Sequence, residues 1–228
     1  MRVGIVSDIH SNASALEQVL SEVKSEGITE IVGAGDIVGY YAQPNRAIRL
    51  LKIAEVKSVC GNHDKAVIQS APSNFNVYAK RAVDWTRRNL TEESFHYLES
   101  LPEQRKMTMS GEQIHIVHGS PGDPINEYVF PEELSVDFLE YHYENPPDYL
   151  ILGHTHIPFV KQVEDTTIIN PGSVGQPRDG DPRSSFAVLD LATGVTELKR
   201  VEYDIDDVYQ DTIEYLPRKL ADRLHEGR

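Results

Sequence analysis

The amino-acid sequence predicts an α/β fold with a largely parallel sheet, and three observations point to it. Short apolar runs rich in β-branched residues alternate with helical periodicities through the first 60 residues, which is the mark of βαβ units. Polar side chains able to bind metal stand just past the ends of those runs, where open α/β sheets build their sites. The last third alternates apolar and polar residues between turn signals, so antiparallel strands are expected there.

Residues 2–6, RVGIV, form a β-branched run of strand length. From Ser11 to Gly27, apolar residues at Ala13, Leu16, Val19, Leu20 and Val23 recur at helical spacing; Ser14 and Glu17 match a capping box, and Gly27 supplies the stop. EIVGAGD reads as the second strand. A helix from near Pro44 carries Ala47, Ile48, Leu51 and Ala54 on one face, and EVKSVCGNHD is the third strand. FNVYAKRAVDWTRRNL and TEESFHYLESL read as amphipathic helices, the second opened by Thr91, and form a cap-like segment over about 73–101. Strand patterns follow at KMTMS, QIHIVHG and YLILGHTH, and a charged helix from about Ile205 closes the chain. Without a repeat or a long linker, a single domain over 1–228 is expected.

Composition narrows the function. With 39% hydrophobic residues and a mean hydropathy of −0.40, the chain can build a core but lacks the apolar content of a membrane protein. The N-terminal run VGIV is too short for a signal sequence, and the lone Cys60 cannot close an intrachain disulfide, so a cytoplasmic location is expected. A net charge of −14 repels polyanions, which disfavours extended nucleic-acid binding and association with anionic membranes. An anionic substrate would need a local attractor, and bound cations supply one.

Asp8 and His10 follow the first strand, Asp36 the second, Asn62 and His63 the third, His118 the IHIV run, and His154 and His156 the YLIL run. Each segment alone reads more readily as a turn with satisfied polar groups. Together they place five of the nine histidines at strand ends, which chance turns do not explain. Asp, His and Asn without sulfur suit manganese, iron, cobalt, nickel or zinc. Seven such ligands exceed one tetrahedral site and fit two divalent ions about 3.5–4 Å apart that share a carboxylate.

In order, DIH, GD, GNHD, VHG and GHTH resemble the motifs of the calcineurin-like metallophosphoesterase superfamily over residues 1 to about 176, and GDIVGYY, HGSPGDPINEYVFP and NPGSVGQPRDGDPRSSFAVLD resemble its small bacterial and archaeal phosphodiesterase branch. The resemblance implies a four-layer α/β/β/α sandwich of two mixed β-sheets flanked by helices, with the metal site at the strand C-terminal edge. It implies that Asp8, His10 and His156 hold one metal, that Asn62, His118 and His154 hold the other, and that Asp36 bridges them. Manganese is the leading candidate. His63 resembles the histidine that stabilises or protonates the leaving oxygen, with Asp64 orienting it. The implied reaction is in-line attack of a metal-bridging hydroxide on a small phosphodiester, with cyclic or short nucleotides among the candidates.

Weaker signals surround this set. Arg178 and Arg183, in a Gly/Pro-rich stretch, could contact a phosphate, or that stretch could brace the metal edge. Asn12 could touch substrate, although capping the first helix is the favoured reading. Tyr40, Tyr41, Asn126 and Tyr128 are specificity candidates, whereas Phe75, Tyr78 and Trp85 read as packing and Cys60 as a small buried residue. A phosphomonoesterase is the main alternative. Protein phosphatases of the superfamily carry an arginine soon after GD and have GNHE; here the first arginine is Arg46 and residue 64 is Asp. A non-catalytic interaction scaffold, as in the superfamily's retromer subunit, would have shed ligands that this chain keeps. Oligomeric state is left open, a homodimer included.

Overall fold

The computed structural model describes residues 1–69 and 75–228. The chain runs β1 (Arg2–Val6), α1 (Ala13–Ser25), β2 (Glu30–Gly33), α2 (Pro44–Ile53), β3 (Lys57–Ser58), α3 (Asn62–Gln69), α4 (Val77–Asn89) and α5 (Glu92–Glu99). It continues through β4 (Gln104–Met109), β5 (Glu112–Val117), α6 (Val136–His142), β6 (Tyr149–Ile151), β7 (Phe159–Val163) and β8 (Thr166–Asn170). The last elements are β9 (Ser184–Asp190), β10 (Val195–Val201), α7 (Ile205–Tyr215) and α8 (Arg218–Glu226).

The strands form two five-stranded mixed sheets, ordered β10-β9-β1-β2-β3 and β4-β5-β6-β8-β7. In the first, β1, β2 and β3 are parallel while β9 and β10 join antiparallel. In the second, β5, β6 and β8 are parallel between antiparallel edges.

Strand alternation explains the layering. Val3 and Ile5 of β1, Ile114 and Ile116 of β5 and Ile151 of β6 meet in one cluster between the sheets. Val6 faces the opposite way, joining Leu16, Val19, Ile48 and Leu51 of α1 and α2. On the far side, Leu150, Leu152 and Ile168 pack with Leu139 of α6. Strands buried on both faces read as continuous apolar runs, so RVGIV and YLIL carry no alternation of their own. A fourth cluster joins Tyr40, Tyr41, Ala79 and Ala82 to Val208, Leu216, Leu220 and Leu224 of the C-terminal helices.

Several expectations need correction. The third strand is only two residues long, and GNHD opens α3 instead of ending a strand. Asn12, not Ser14, caps α1: its Oδ1 accepts from the Ala15 amide, while the Ser14 hydroxyl donates to Asp207 of α7. The closing segment is two helices because Pro217 cannot continue α7. Within the cap-like segment, residues 73 and 74 lie outside the described residues; α4 follows Asn76, which caps it, and α5 follows Thr91. No helix among the described residues is long and apolar enough to cross a membrane.

Candidate metal centre

Asp8 and His10 leave the end of β1, Asp36 that of β2, His118 that of β5, and His154 and His156 that of β6. Both sheets deliver their parallel strand ends to one cleft, as the Gly153 amide bonding to the His118 carbonyl and the His154 amide donating to Asp8 Oδ2 show. The turns are strained. Among the described residues nine non-glycine residues have positive φ, and six of them are Asp8, His10, Ser11, Asp36, His154 and His156. Left-handed backbone costs about 1 kcal/mol or more per such residue and clusters at working sites. Here it turns successive side chains inward.

The motif glycines have steric reasons. A Cβ on Gly61 would fall 2.1 Å from Asp36 Oδ1, and one on Gly153 2.3 Å from Ser7 Oγ. The backbone of GNHD must therefore pass directly against the Asp36 carboxylate, whose Oδ1 accepts from the His63 amide at 2.8 Å.

The donor atoms fall into two groups. In the first, His156 Nε2 lies 3.2 Å from Asp8 Oδ1 and 3.0 Å from His10 Nε2. In the second, His118 Nε2 lies 3.1 Å from both Asn62 Oδ1 and His154 Nδ1. Asp36 Oδ2 sits between them, 3.5 Å from His10 Nε2 and 3.5 Å from His118 Nε2. Outer partners set the rings: His118 Nδ1 donates to the Ala34 carbonyl at 2.8 Å, His156 Nδ1 to that of Gln176 at 2.6 Å, and His154 Nε2 to that of Asn126 at 3.1 Å. Each of these rings therefore turns its other nitrogen inward, the arrangement metal-binding histidines adopt.

Electrostatics agree. Burial disfavours charge on Asp8 and Asp36, yet the surrounding imidazoles outweigh it and hold both carboxyls well below the usual range. Burial also depresses His10, His156 and His154, the last to about 3, leaving them neutral. His118 goes the other way: burial opposes its charge, but Asp36 pulls it up to about 9. A buried cluster that draws a proton between two carboxylates is a place for positive charge. Asp8 Oδ1 and His10 Nδ1 have no hydrogen-bond partner among the described residues, and His10 Nε2 and His156 Nε2 face each other at 3.0 Å. These groups fit a divalent metal better than they fit one another.

His63 rims the cleft with Tyr40, Phe75, Asn126 and Tyr128. Burial first, and the Arg178 charge after it, press its imidazole down to about 4 against the pull of Asp36. Asp64 does not orient it. The Asp64 carboxylate instead accepts from the amides of Val38, Ile37 and Gly61 at 3.0, 3.2 and 2.9 Å, and His63 Nδ1 has no partner among the described residues. Asp64 sits too deep to reach the ring because it is committed to the backbone; burial, then the charge of Asp36, raises its carboxyl to about 7. Asn12 is fully buried and also donates to the Gly175 carbonyl, which removes it from substrate contact. Arg183 is half-exposed and paired with Asp181, Nη2 to Oδ2 at 2.7 Å. Arg178 lies at the edge of the cleft, its Cζ 6.0 Å from the Tyr40 ring centre. Trp85 stacks on Tyr215, Tyr78 lies under Lys219, and only Phe75 of the three reaches His63, at 5.0 Å.

Cys60 is buried, its thiol pushed far up by burial. Sequence reasoning missed Ser7, Gln176 and Ala34, which steady the cluster through a hydroxyl or a carbonyl, and Arg223 of α8, whose Cζ also lies 6.0 Å from the Tyr40 ring centre. Carbonyls carry no residue signal, and Arg223 stands in no motif.

Two mixed sheets between helical layers, with a buried Asp/His cluster at their joined strand ends, define a metal-binding phosphoesterase type of α/β protein. Residues 1–194 match the calcineurin-like phosphoesterase superfamily domain, and the chain belongs to that superfamily. It is 37% identical to an uncharacterized protein of Methanocaldococcus jannaschii, covering 99% of this chain and 98% of that protein. The phosphodiesterase YfcE of Escherichia coli is 27% identical over 83% of this chain and 88% of its own. The crystal structure of a metallophosphoesterase from Sphaerobacter thermophilus superposes with a TM-score of 0.83 at 36% identity, covering 100% of this chain and 99% of that one.

Proposed function

We propose that the chain hydrolyses small phosphodiesters in the cytoplasm, using two divalent metal ions, with manganese the first candidate. One observation carries the number two: Asp36 Oδ2 stands 3.5 Å from a histidine of each donor group. Asp8, His10 and His156 would hold one ion, Asn62, His118 and His154 the other, and Asp36 would face both. When bound, the ions supply positive charge for the phosphoryl oxygens and a water acidic enough to be a nucleophile near neutral pH.

The chain's own residues do the rest. Ala34, Gln176 and Asn126 carbonyls fix the imidazoles so that no reorganisation is needed when substrate arrives. His63, at the cleft wall with Nδ1 unpartnered among the described residues, would face the leaving oxygen as a neutral imidazole and donate a ring N–H hydrogen bond to it. Arg178, with Cζ 6.0 Å from the centre of the Tyr40 ring that lines the cleft, would serve as a phosphate contact. The arginine nearest after Asp36, Arg46, is turned outward and paired with Glu17 at 2.5 Å, which counts against a protein phosphate as substrate and leaves small monoesters as the alternative. YfcE, named a phosphodiesterase, supports the diester reading.

The test is metal-depleted protein reloaded with manganese or nickel and assayed on bis-(p-nitrophenyl) phosphate and p-nitrophenyl phosphate. We expect metal-dependent cleavage with the diester faster, and a fall of about 10²-fold or more in His63→Ala, in the range typical for loss of an acid or base group. Faster cleavage of the monoester would make the chain a phosphomonoesterase; no cleavage with any ion would turn attention to an interaction scaffold.

A further inference from the structure

Two guanidinium groups stand beside the metal cluster without an acidic partner. Arg178, in the loop after β8, and Arg223, on α8, each lie with Cζ 6.0 Å from the centre of the Tyr40 ring. That ring is 4.5 Å from the His63 ring and 4.7 Å from the His10 ring, so the metal-binding edge and both arginines share one aromatic neighbour. Arg178 donates to Gln176 Oε1 at 3.0 Å and reaches the Tyr40 hydroxyl at 3.5 Å. Among the described residues neither arginine has a carboxylate within 4.0 Å, while Arg2, Arg46, Arg183, Arg200 and Arg218 all do.

Both are partly buried, and what sets them apart is their shared position over the Tyr40 ring beside the Asp/His cluster. Their like charges repel each other, and among the described residues they are met by the Tyr40 ring and, for Arg178, the Gln176 side chain, but by no carboxylate. The fold does supply rigidity. The Gly180 amide donates to the Gly227 carbonyl at 3.0 Å, which ties the end of α8 to the loop that carries Arg178. A Cβ on Gly227 would fall 2.8 Å from the backbone of Asp181, so that contact is close.

We propose that Arg178, Arg223 and the Tyr40 hydroxyl form a second anion subsite that receives another phosphate of the substrate. This rests on the phosphoesterase reading above and narrows it: the substrate class is an ester carrying two phosphate groups a few bonds apart, as in a nucleoside bisphosphate. A guanidinium presents paired N–H donors that match phosphate oxygens, and one unpaired arginine is the usual anchor for such a group. Arg223 lies outside residues 1–194, the part shared with the superfamily domain, so α8 would add one member to a subsite whose other two lie within that domain.

The test uses manganese-loaded full-length protein and the p-nitrophenyl ester of thymidine 5′-phosphate, with and without a 3′-phosphate. The wild type should prefer the 3′-phosphorylated ester in kcat/KM. Arg223→Ala should cut that preference about ten-fold or more, through KM, and Arg223→Lys should restore part of it, as for loss of one charged phosphate contact. Absence of preference in the wild type, or an equal preference in Arg223→Ala, overturns the proposal. Calorimetric titration with thymidine 3′,5′-bisphosphate, thymidine 5′-phosphate and inorganic phosphate separates binding from hydrolysis. If neither ester is cleaved, but the wild type alone holds the bisphosphate about ten-fold more tightly than the monophosphate, the hydrolysis reading falls and the subsite stands. Equal affinities for inorganic phosphate and bisphosphate would mean a free-phosphate site and overturn the assignment to substrate.

Discussion

Asp64 accepts three backbone amides through two oxygens, and thereby fixes where Asn62 and His63 point. Asn at this position would set an NH2 donor against at least one of those amides, and a buried unsatisfied donor costs about 1–3 kcal/mol. Asp64→Asn is therefore expected to lower the melting temperature by several degrees and to weaken metal binding, read by thermal melts and metal titration. A variant with unchanged melting and metal affinity would mean that the amides find other partners. The gathering of the motif residues at one edge was legible, because strand ends, residue types and order are all properties of sequence. The roles of Asp64 and Arg183 were not. Asp64's amide partners Ile37 and Val38 lie 27 and 26 residues away, and a neighbouring aspartate captures Arg183.

Among the elements, the βαβ start was legible from its periodicity, whereas α3 was not, since NHDKAVIQ carries few apolar residues and follows a two-residue strand. Contacts with distant chain fix such short elements. Strand β5 illustrates the same dependence in its chemistry. Its His115 is buried between the Gln104 side chain at 2.9 Å on β4 and the Tyr143 hydroxyl at 2.5 Å just past α6. Burial, assisted by Lys106, presses it down to about 4. The folded value lies below the unfolded value of about 6.5, so the folded state binds fewer protons as the pH falls. The stability contributed by neutral His115 is complete above about pH 6.5 and declines as pH drops toward 4. Melting curves at pH 7 and 5 should show a larger loss for the wild type than for His115→Gln, and equal losses would place the pH dependence elsewhere.

At the scale of the molecule, the family domain ends at residue 194, yet the fold does not stop there. Val208, Leu216, Leu220 and Leu224 bury against Tyr40 and Tyr41, and the Gln43 side chain, which donates to Asp211, accepts the first amides of α1. Each buried aliphatic side chain contributes about 1.5–3 kcal/mol. A chain ending at residue 204 should therefore melt well below the full-length protein, despite retaining every proposed metal ligand. An unchanged melting temperature would make α7 and α8 dispensable.

The Asp8 amide is bonded to Gly35, the His118 ring to Ala34, and His156 reaches back to Asp8 across 148 positions of chain. During synthesis, a ribosome that has not yet released residue 156 holds a cluster with one corner missing. The full donor set is thus assembled late in the life of the nascent polypeptide, long after Asp8 and Asp36 have been made.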